Sequence, residues 1–467
     1  MIQLFVNREP ELQFLEEHYK TKAAELVIVY GRRRVGKTEF TLQFSKNKPH
    51  IYFLADQRPE KNLIQELKQQ MSLYIKNESF AKLAIQDWIE LFSEFTKWNK
   101  NTHTIIIIDE FPILIETNRA IPSIFQKIWD QNLKNTPTML ILLGSSVAMM
   151  ETEVLNYKSP LYGRRTAQWK LKPLKIHHLK TFFPNYNLET LVHVYACIGG
   201  VPAYIQKFNP QNSFWQNVQQ KILTKGEFLY EESEFLLREE LREPRNYNII
   251  LKAIAQEAQT YGEILNKTGI DKSMLSKYAS VLEDIGFIKR TYPIGLTVKP
   301  RKSQYVLADN YLNFWFKYVF PNKTELEAGD SETVLNKIKQ DYNTYLDHAF
   351  EQIATELLTE LKTNHMLPFT YTSMGKWWFK NNEIDLIALD EKKLTATFIE
   401  TKWSTLNKKD CQRILQNLKA KAKHFRWKHE KENYAIAAKK INEKEELTKH
   451  KNFVFDLQDF KPLLTKT

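Results

Sequence analysis

Eight residues, Gly31-Arg32-Arg33-Arg34-Val35-Gly36-Lys37-Thr38, constrain what this chain can fold into more than anything else in it. An apolar run, Leu26–Tyr30, precedes them, and an amphipathic stretch, TEFTLQFSK, follows. The pattern is GxxxxGK[ST]. Glycines at its ends let backbone N–H groups wrap a β-phosphate, the lysine sets a point charge toward the β- and γ-oxygens, and the threonine hydroxyl completes a Mg²⁺ shell. With only 13 glycines in 467 residues, two at this spacing before Lys-Thr are not a by-product of a glycine-rich chain. The reading is a strand–loop–helix nucleotide site for ATP and Mg²⁺, formed by Gly31, Arg32, Arg33, Arg34, Val35, Gly36, Lys37 and Thr38. The three arginines have no assigned catalytic role.

Further apolar runs at Ile51–Leu54, Thr104–Ile108, Met139–Leu143 and Ala167–Leu171 alternate with helical patterns at Pro59–Lys76, Phe80–Trp98 and Ala120–Lys134. Five such runs separated by helices predict a parallel sheet covered on both faces. The run Thr104–Ile108 ends in Asp109-Glu110, so Asp109 is expected to hold Mg²⁺ and Glu110 to polarise the attacking water. Ser145, after Met139–Leu143, is placed either to sense a γ-phosphate or simply to make the GSS turn. Arg164 and Arg165 in PLYGRR either reach a γ-phosphate, in cis or in trans, or are surface charges.

From His177 to about Arg245 the pattern is helical. Three helical patterns follow, at Tyr247–Gln256, Tyr261–Thr268 and Lys272–Ile285, and then two β-like runs, Phe287–Tyr292 and Gln304–Leu307. Three helices and a two-stranded wing predict a winged helix-turn-helix. Its recognition helix would offer Lys272, Ser273, Ser276 and Lys277 to a DNA groove, with Met274, Leu275 and Ala279 as core. Lys289, Arg290, Lys299, Arg301 and Lys302 would contact phosphates. Winged helices also dock proteins or act as lids.

Net charge is +12, and residues 401–467 hold 17 Lys/Arg against 8 Asp/Glu. Such a skew draws a phosphate backbone, although a lysine-rich solvated helix reads the same way. Only two cysteines occur, Cys197 and Cys411, so a cysteine-built zinc cluster is excluded. No run is long enough to span a membrane and no signal peptide is recognisable, so the expected location is cytoplasmic.

The last segment reads as helix Tyr345–Lys362, strands Thr370–Ser373, Trp377–Phe379, Glu383–Leu389 and Ala396–Lys402, helix Lys409–Phe425 and strand Tyr434–Ala438. Glu400 and Lys402 are i and i+2 on one strand and share a face. If the two strands pair as a hairpin, Asp385 converges with them, and Glu351 on the preceding helix adds a third carboxylate. Asp385 and Glu400 around a divalent metal, with Lys402 beside them, are what phosphodiester hydrolysis needs. A hairpin edge guarded by charge is the alternative. Trp377, Trp378 and Trp403 are either stacking platforms or core aromatics.

Taken in order, FVNREPEL, GRRRVGKT, IIIIDEF, LLGSS, LYGRR and IGGVPAYI resemble prokaryotic AAA/STAND-like P-loop ATPases with a C-terminal DUF234 domain. The resemblance implies an α/β chain: an ASCE-type P-loop core (1–175), a helical lid (176–245), a winged helix (246–320) and a restriction-endonuclease-like α/β domain (342–467). It implies that Asn7 and Arg8 lie near the adenine. It also implies that Pro202, in Gly200-Val201-Pro202, belongs to a GxP turn joining the lid to the nucleotide, unless GGVP is a plain inter-helix turn. Glu351, Asp385, Glu400 and Lys402 match the PD-(D/E)xK nuclease core. The expected activity is an ATPase coupled to DNA binding and Mg²⁺-dependent DNA cleavage. The alternatives are a STAND-like switch that forms a homo-oligomer on binding ATP, and a DNA-binding regulator with a non-catalytic tail.

Overall fold

The computed structural model describes residues 5–99, 102–241, 244–295, 303–448 and 452–464. The chain divides into two compact units, Met1–Pro173 with Asp284–Gly286, and Leu174–Glu283 with Phe287–Thr467.

The first unit is built on five strands: β1 (Glu25–Tyr30), β2 (His50–Leu54), β3 (Thr104–Asp109), β4 (Thr138–Gly144) and β5 (Ala167–Lys170). All pair in parallel, in the order β2-β3-β4-β1-β5, so β4 is inserted between the strands that end in the phosphate-binding loop and in Asp109. Every residue of β1, β3 and β4 is buried. Alternate side chains serve two cores. Leu26, Ile28, Ile106, Ile108, Leu140 and Leu142 pack with Phe53, Trp88 and Phe125 on one face. Val27, Val29, Ile105, Ile107 and Ile141 pack with Leu15, Phe40 and Phe44 on the other. Burial on both faces is why these runs are continuously apolar, each large side chain contributing about 1.5–3 kcal/mol.

The stretch Phe80–Trp98, predicted as one helix, is two, Glu78–Ala81 and Trp88–Trp98. Each has its own side-chain cap: Asn77 Oδ1 accepts from Ser79 N–H and Asp87 Oδ1 from Glu90 N–H, at 2.9 and 2.8 Å. The stretch Ala120–Lys134 is the helix Ile121–Ile128 running into a π-turn, Trp129–Leu133.

The second unit contains three helices, Arg245–Ala255, Tyr261–Thr268 and Lys272–Asp284, and an antiparallel pair, β6 (Ile288–Thr291) with β7 (Gln304–Leu307). Leu275, Ala279 and Leu282 form the buried stripe of Lys272–Asp284, whereas Met274, predicted as core, is 39% exposed because it lies one position off that stripe. Lys299, Arg301 and Lys302 lie outside the described residues.

A helix of 33 residues, Ser331–Thr363, leads into a five-stranded sheet. It starts well ahead of the predicted Tyr345, with Asp330 Oδ1 accepting from Thr333 N–H at 3.1 Å. The sheet comprises β8 (Ser373–Phe379), β9 (Asn382–Asp390), β10 (Thr395–Leu406), β11 (Lys431–Ile441) and β12 (Phe453–Phe455), in the order β12-β11-β10-β9-β8. β8, β9 and β10 are antiparallel, while β11 and β12 continue in parallel from β10. The strand β12 has only three residues, too few to show a period in the sequence, and Trp377–Phe379 extends the strand begun at Ser373 across a bulge between Gly375 and Trp377. Helix Lys408–Ala422 covers the sheet through Cys411, Leu415 and Leu418. Trp377 and Trp403 are buried core residues, and Trp378 is half-buried. Among the described residues no helix is long and apolar enough to cross a membrane.

Candidate functional site

In the first unit, the loop between β1 and helix Lys37–Ser45 depends on two glycines. Gly36 has φ 89°, a left-handed conformation that turns the chain into the helix. A Cβ on Gly31 would lie 2.3 Å from the Leu171 carbonyl oxygen, so only glycine fits beside that backbone. Lys37 is buried, and its Nζ donates to Gly31 O at 3.0 Å and Arg32 O at 3.1 Å. Burial lowers its pKa to about 8, although Glu110 and Asp109 act against the shift. Arg8 braces the loop, donating from Nη2 to Val35 O at 3.1 Å while Nη1 pairs with Glu11 at 3.1 Å. Its neighbour Asn7 takes a left-handed conformation, φ 45°.

The loop continues into a chain of oxygens at the C-terminal ends of the strands. Thr38 Oγ1 donates to Asp109 Oδ2 at 2.6 Å, and Tyr52 OH to the same oxygen at 2.8 Å. Asp109 Oδ1 accepts from Glu110 N–H at 2.9 Å, and Glu110 Oε2 accepts from Ser145 Oγ at 2.6 Å. Burial, then Asp109, raises the Tyr52 hydroxyl pKa. Thr38 and Asp109 thus present adjoining hard oxygen donors, the chemistry that suits Mg²⁺. Tyr52 was missed by sequence reasoning, because an aromatic in an apolar strand reads as core.

Arg164 is drawn elsewhere: its Nη2 pairs with Asp130 Oδ2 at 3.0 Å and its Nη1 donates to Pro160 O at 3.4 Å. Arg165 donates to Tyr162 O and lies over the Tyr162 ring. Pro202 belongs to the second unit and opens the helix Pro202–Ile205. There the GGVP turn has a packing reason of its own. A Cβ on Gly200 would lie 1.8 Å from Leu174 O, and Leu174 N–H donates to Gly200 O at 2.7 Å.

In the second unit, β9 and β10 pair through Leu386 and Ile399, which brings Asp385 and Glu400 to the next position of the ladder. Thr401 donates to Asp385 Oδ2 from its N–H at 2.8 Å and its Oγ1 at 3.0 Å. One oxygen each of Glu351, Glu383 and Asp385 lies within 4.8 Å of the others, a spacing that can hold a cation. Glu383 completes this trio, and being two residues from Asp385 on a strand it shares its face.

Lys376, re-aimed by the β8 bulge, pairs with Glu351 at 2.9 Å and Glu383 at 2.5 Å. Gly375 is the one sequence signal of this bulge, since a glycine inside a strand pattern often marks one, but it does not tell which way Lys376 is aimed. Glu400 instead pairs with Lys402 at 3.2 Å and Lys421 at 3.3 Å. Burial raises the Glu351 pKa to about 7 against the pull of Lys376, with Asp385 and Glu383 adding to the rise. Burial, then Asp385, also raises Glu400. Burial lowers the Lys402 pKa, but Asp385 and Glu400 more than offset it and leave it raised.

Residues 5–208 match a family described as an ATPase domain predominantly from Archaea, and residues 315–414 match DUF234, archaeal and bacterial proteins of unknown function. An uncharacterized protein of Methanocaldococcus jannaschii is 42% identical over 98% of this chain and 100% of its own length. A Walker-type ATPase of Pyrococcus abyssi is similar in structure, with a TM-score of 0.49 and 22% identity over 67% of this chain and 96% of that one. The ORC2 protein of Aeropyrum pernix, in its ADPNP–ADP complexes, has a TM-score of 0.45 and 13% identity over 73% of this chain and 96% of that one. With these family matches the parallel sheet and its phosphate-binding loop are an ATP-binding ATPase core followed by a mixed C-terminal sheet, and the chain belongs to the P-loop ATPases, predominantly from Archaea, that carry a C-terminal DUF234 domain.

Proposed function

We propose that this ATPase couples ATP hydrolysis to DNA binding and to metal-dependent cleavage of phosphodiester bonds. In the first unit, Lys37 and the loop N–H groups hold the phosphates, Thr38 and Asp109 would hold Mg²⁺, and Glu110 orients the attacking water. Ser145, hydrogen-bonded to Glu110, couples that carboxylate to the γ-phosphate position. The bound Mg²⁺ would supply charge neutralisation at the phosphates.

In the second unit, Lys272–Asp284 serves as the recognition helix of a winged helix. Lys272, Ser273, Ser276 and Lys277 are exposed on it, and Tyr261 OH buttresses Ser276 Oγ at 2.9 Å. The cleavage reading rests on one observation: Glu351, Glu383 and Asp385 offer three carboxylate oxygens within 4.8 Å of one another. Such a trio would hold a divalent metal that polarises a scissile phosphate, with Lys402 stabilising the developing charge.

Lys376 favours a second reading, in which the tail recognises a partner without chemistry, because its ammonium already neutralises Glu351 and Glu383. One experiment separates the two. Supercoiled, linear and single-stranded DNA are incubated with Mg²⁺ or Mn²⁺, with and without ATP, using wild type, Lys37→Ala and Asp385→Ala. Cutting that is lost in Asp385→Ala and altered in Lys37→Ala supports a coupled nuclease. Intact DNA, or cutting unchanged in Asp385→Ala, sinks it in favour of the recognition module.

A further inference from the structure

Within the second unit, a cavity of about 330 Å³ opens between two walls. One wall is helix Arg245–Ala255 with β6 and β7, and the other is helix Ser331–Thr363 with β8 and β9. Lys289, Gln259 and Gln304 face it from the first wall, and Glu351, Lys376 and Asp385 from the second. The turn after β6 fastens the walls together. Ile294 N–H donates to Lys376 O at 2.9 Å, and Gly295, at φ 80°, sits so tightly that a Cβ would meet the Phe425 ring at 2.7 Å.

The cavity has three lysines, and two are spent within the protein. Lys317 pairs with Glu257 and Asp341, and Lys376 with Glu351 and Glu383. Lys289 is different: among the described residues its ammonium makes no hydrogen bond or ion pair. Its side chain is exposed, but into the cavity, and desolvation by the surrounding protein lowers its pKa. The adjacent Arg290, on the opposite face of β6, is held by Glu283 at 3.1 Å and by Tyr305 OH. An unpaired cation in a partly desolvated hollow is a seat for an anion.

Size and lining narrow the anion's class. Small-ligand sites span about 300–1,000 Å³, so this cavity takes one nucleotide and is far too small to admit a paired duplex. The amides of Gln259 and Gln304 offer both donors and acceptors, as base edges and sugars require.

Resting on the cleavage reading above, we propose that the cavity receives the terminal nucleotide of a single-stranded nucleic acid, with Lys289 gripping its phosphate and the carboxylates facing the adjoining linkage. Lys289 then acts inside the site and not on the outer surface of a wing.

The test is fluorescence anisotropy in EDTA, with the full chain titrated against a labelled oligothymidylate and against a blunt duplex. Single-strand binding should depend on Lys289, whereas duplex binding, which the recognition helix serves, should be indifferent to it. Lys289→Gln should lose on the order of tenfold for the single strand, the worth of one charge-assisted phosphate contact, and Lys289→Arg should recover most of it. An equal loss of duplex affinity, or unchanged single-strand binding, in Lys289→Gln overturns the proposal. So does displacement by thymidine monophosphate at the oligonucleotide's own concentrations, which would assign the cavity to free nucleotides. Lys289-dependent binding without cleavage supports it while removing the nuclease reading. Cleavage indifferent to Lys289→Gln does the reverse.

Discussion

Lys37 is 5% exposed, and its ammonium rests on two backbone carbonyl oxygens. Burial takes its pKa from 10.5 to about 8. A lysine whose pKa is depressed by folding costs stability wherever it is charged in both states. That cost is fully present below about pH 8 and is relieved as pH rises toward about 10.5. The gap corresponds to about 3 kcal/mol. Methionine keeps the apolar stem and removes the charge. The wild type should therefore gain about 2–3 kcal/mol on Lys37→Met between about pH 7 and pH 10. Losing two hydrogen bonds costs the variant about 1 kcal/mol each at every pH, which moves its curve without changing this slope. In a unit of this size the gain is worth roughly 5–10 °C in Tm.

The assay is thermal unfolding of the full chain across this pH range, following the transition that ATP raises in wild type. ATP at about a hundred times its Kd should raise that transition by the equivalent of about 2.7 kcal/mol, and Lys37→Met should show no such rise. Parallel pH profiles for the two proteins would refute the desolvation argument. A preserved ATP shift in the variant would refute the role of Lys37 in holding phosphate.

Two further outcomes follow from packing and charge. Gly200→Ala drives a Cβ against the Leu174 carbonyl and should cost on the order of 3 kcal/mol or prevent folding, while Gly262→Ala, in open space on a helix, should be neutral or stabilising by about 0.5–1 kcal/mol; denaturant unfolding compares them. Glu351 carries a pKa raised to about 7, chiefly by burial, so its ionisation penalty is absent below about pH 4.5 and complete above about pH 7. Glu351→Gln should gain on wild type by about 3 kcal/mol across that interval and by nothing further above it, as read from thermal melts at stepped pH.

Much of the first unit was legible along the chain because its constraints are local. A strand buried on both faces must be continuously apolar, so LVIVY, TIIII and MLILL declare themselves. Gly36 and Lys37 are set by a phosphate-sized turn a few residues long, and Asp109 by the end of its own strand. Tyr52 escaped notice because its hydroxyl finds Asp109 only after β2 and β3 pair, 57 positions apart in sequence.

In the second unit the balance reverses. Asp385, Glu400 and Lys402 stand out as charges in strands, yet their grouping is decided by pairing and burial. Thr401 anchors Asp385 beside Glu351 and Glu383, while Lys402 and Lys421 hold Glu400. Lys376 reaches Glu351 through a bulge that Gly375 marks in the strand, although the glycine does not say which carboxylate the lysine will meet. Lys289 and Arg290 are adjacent basic residues, indistinguishable as letters. The alternation of β6 aims one into a cavity and the other at Glu283, because successive side chains of a strand face opposite ways. Local periodicity and turn chemistry thus determined the strands, the phosphate loop and the residue types available for chemistry. Which of those residues meet was decided by contacts between elements far apart in sequence, where register, a bulge and the free energy of burying charge select the partners.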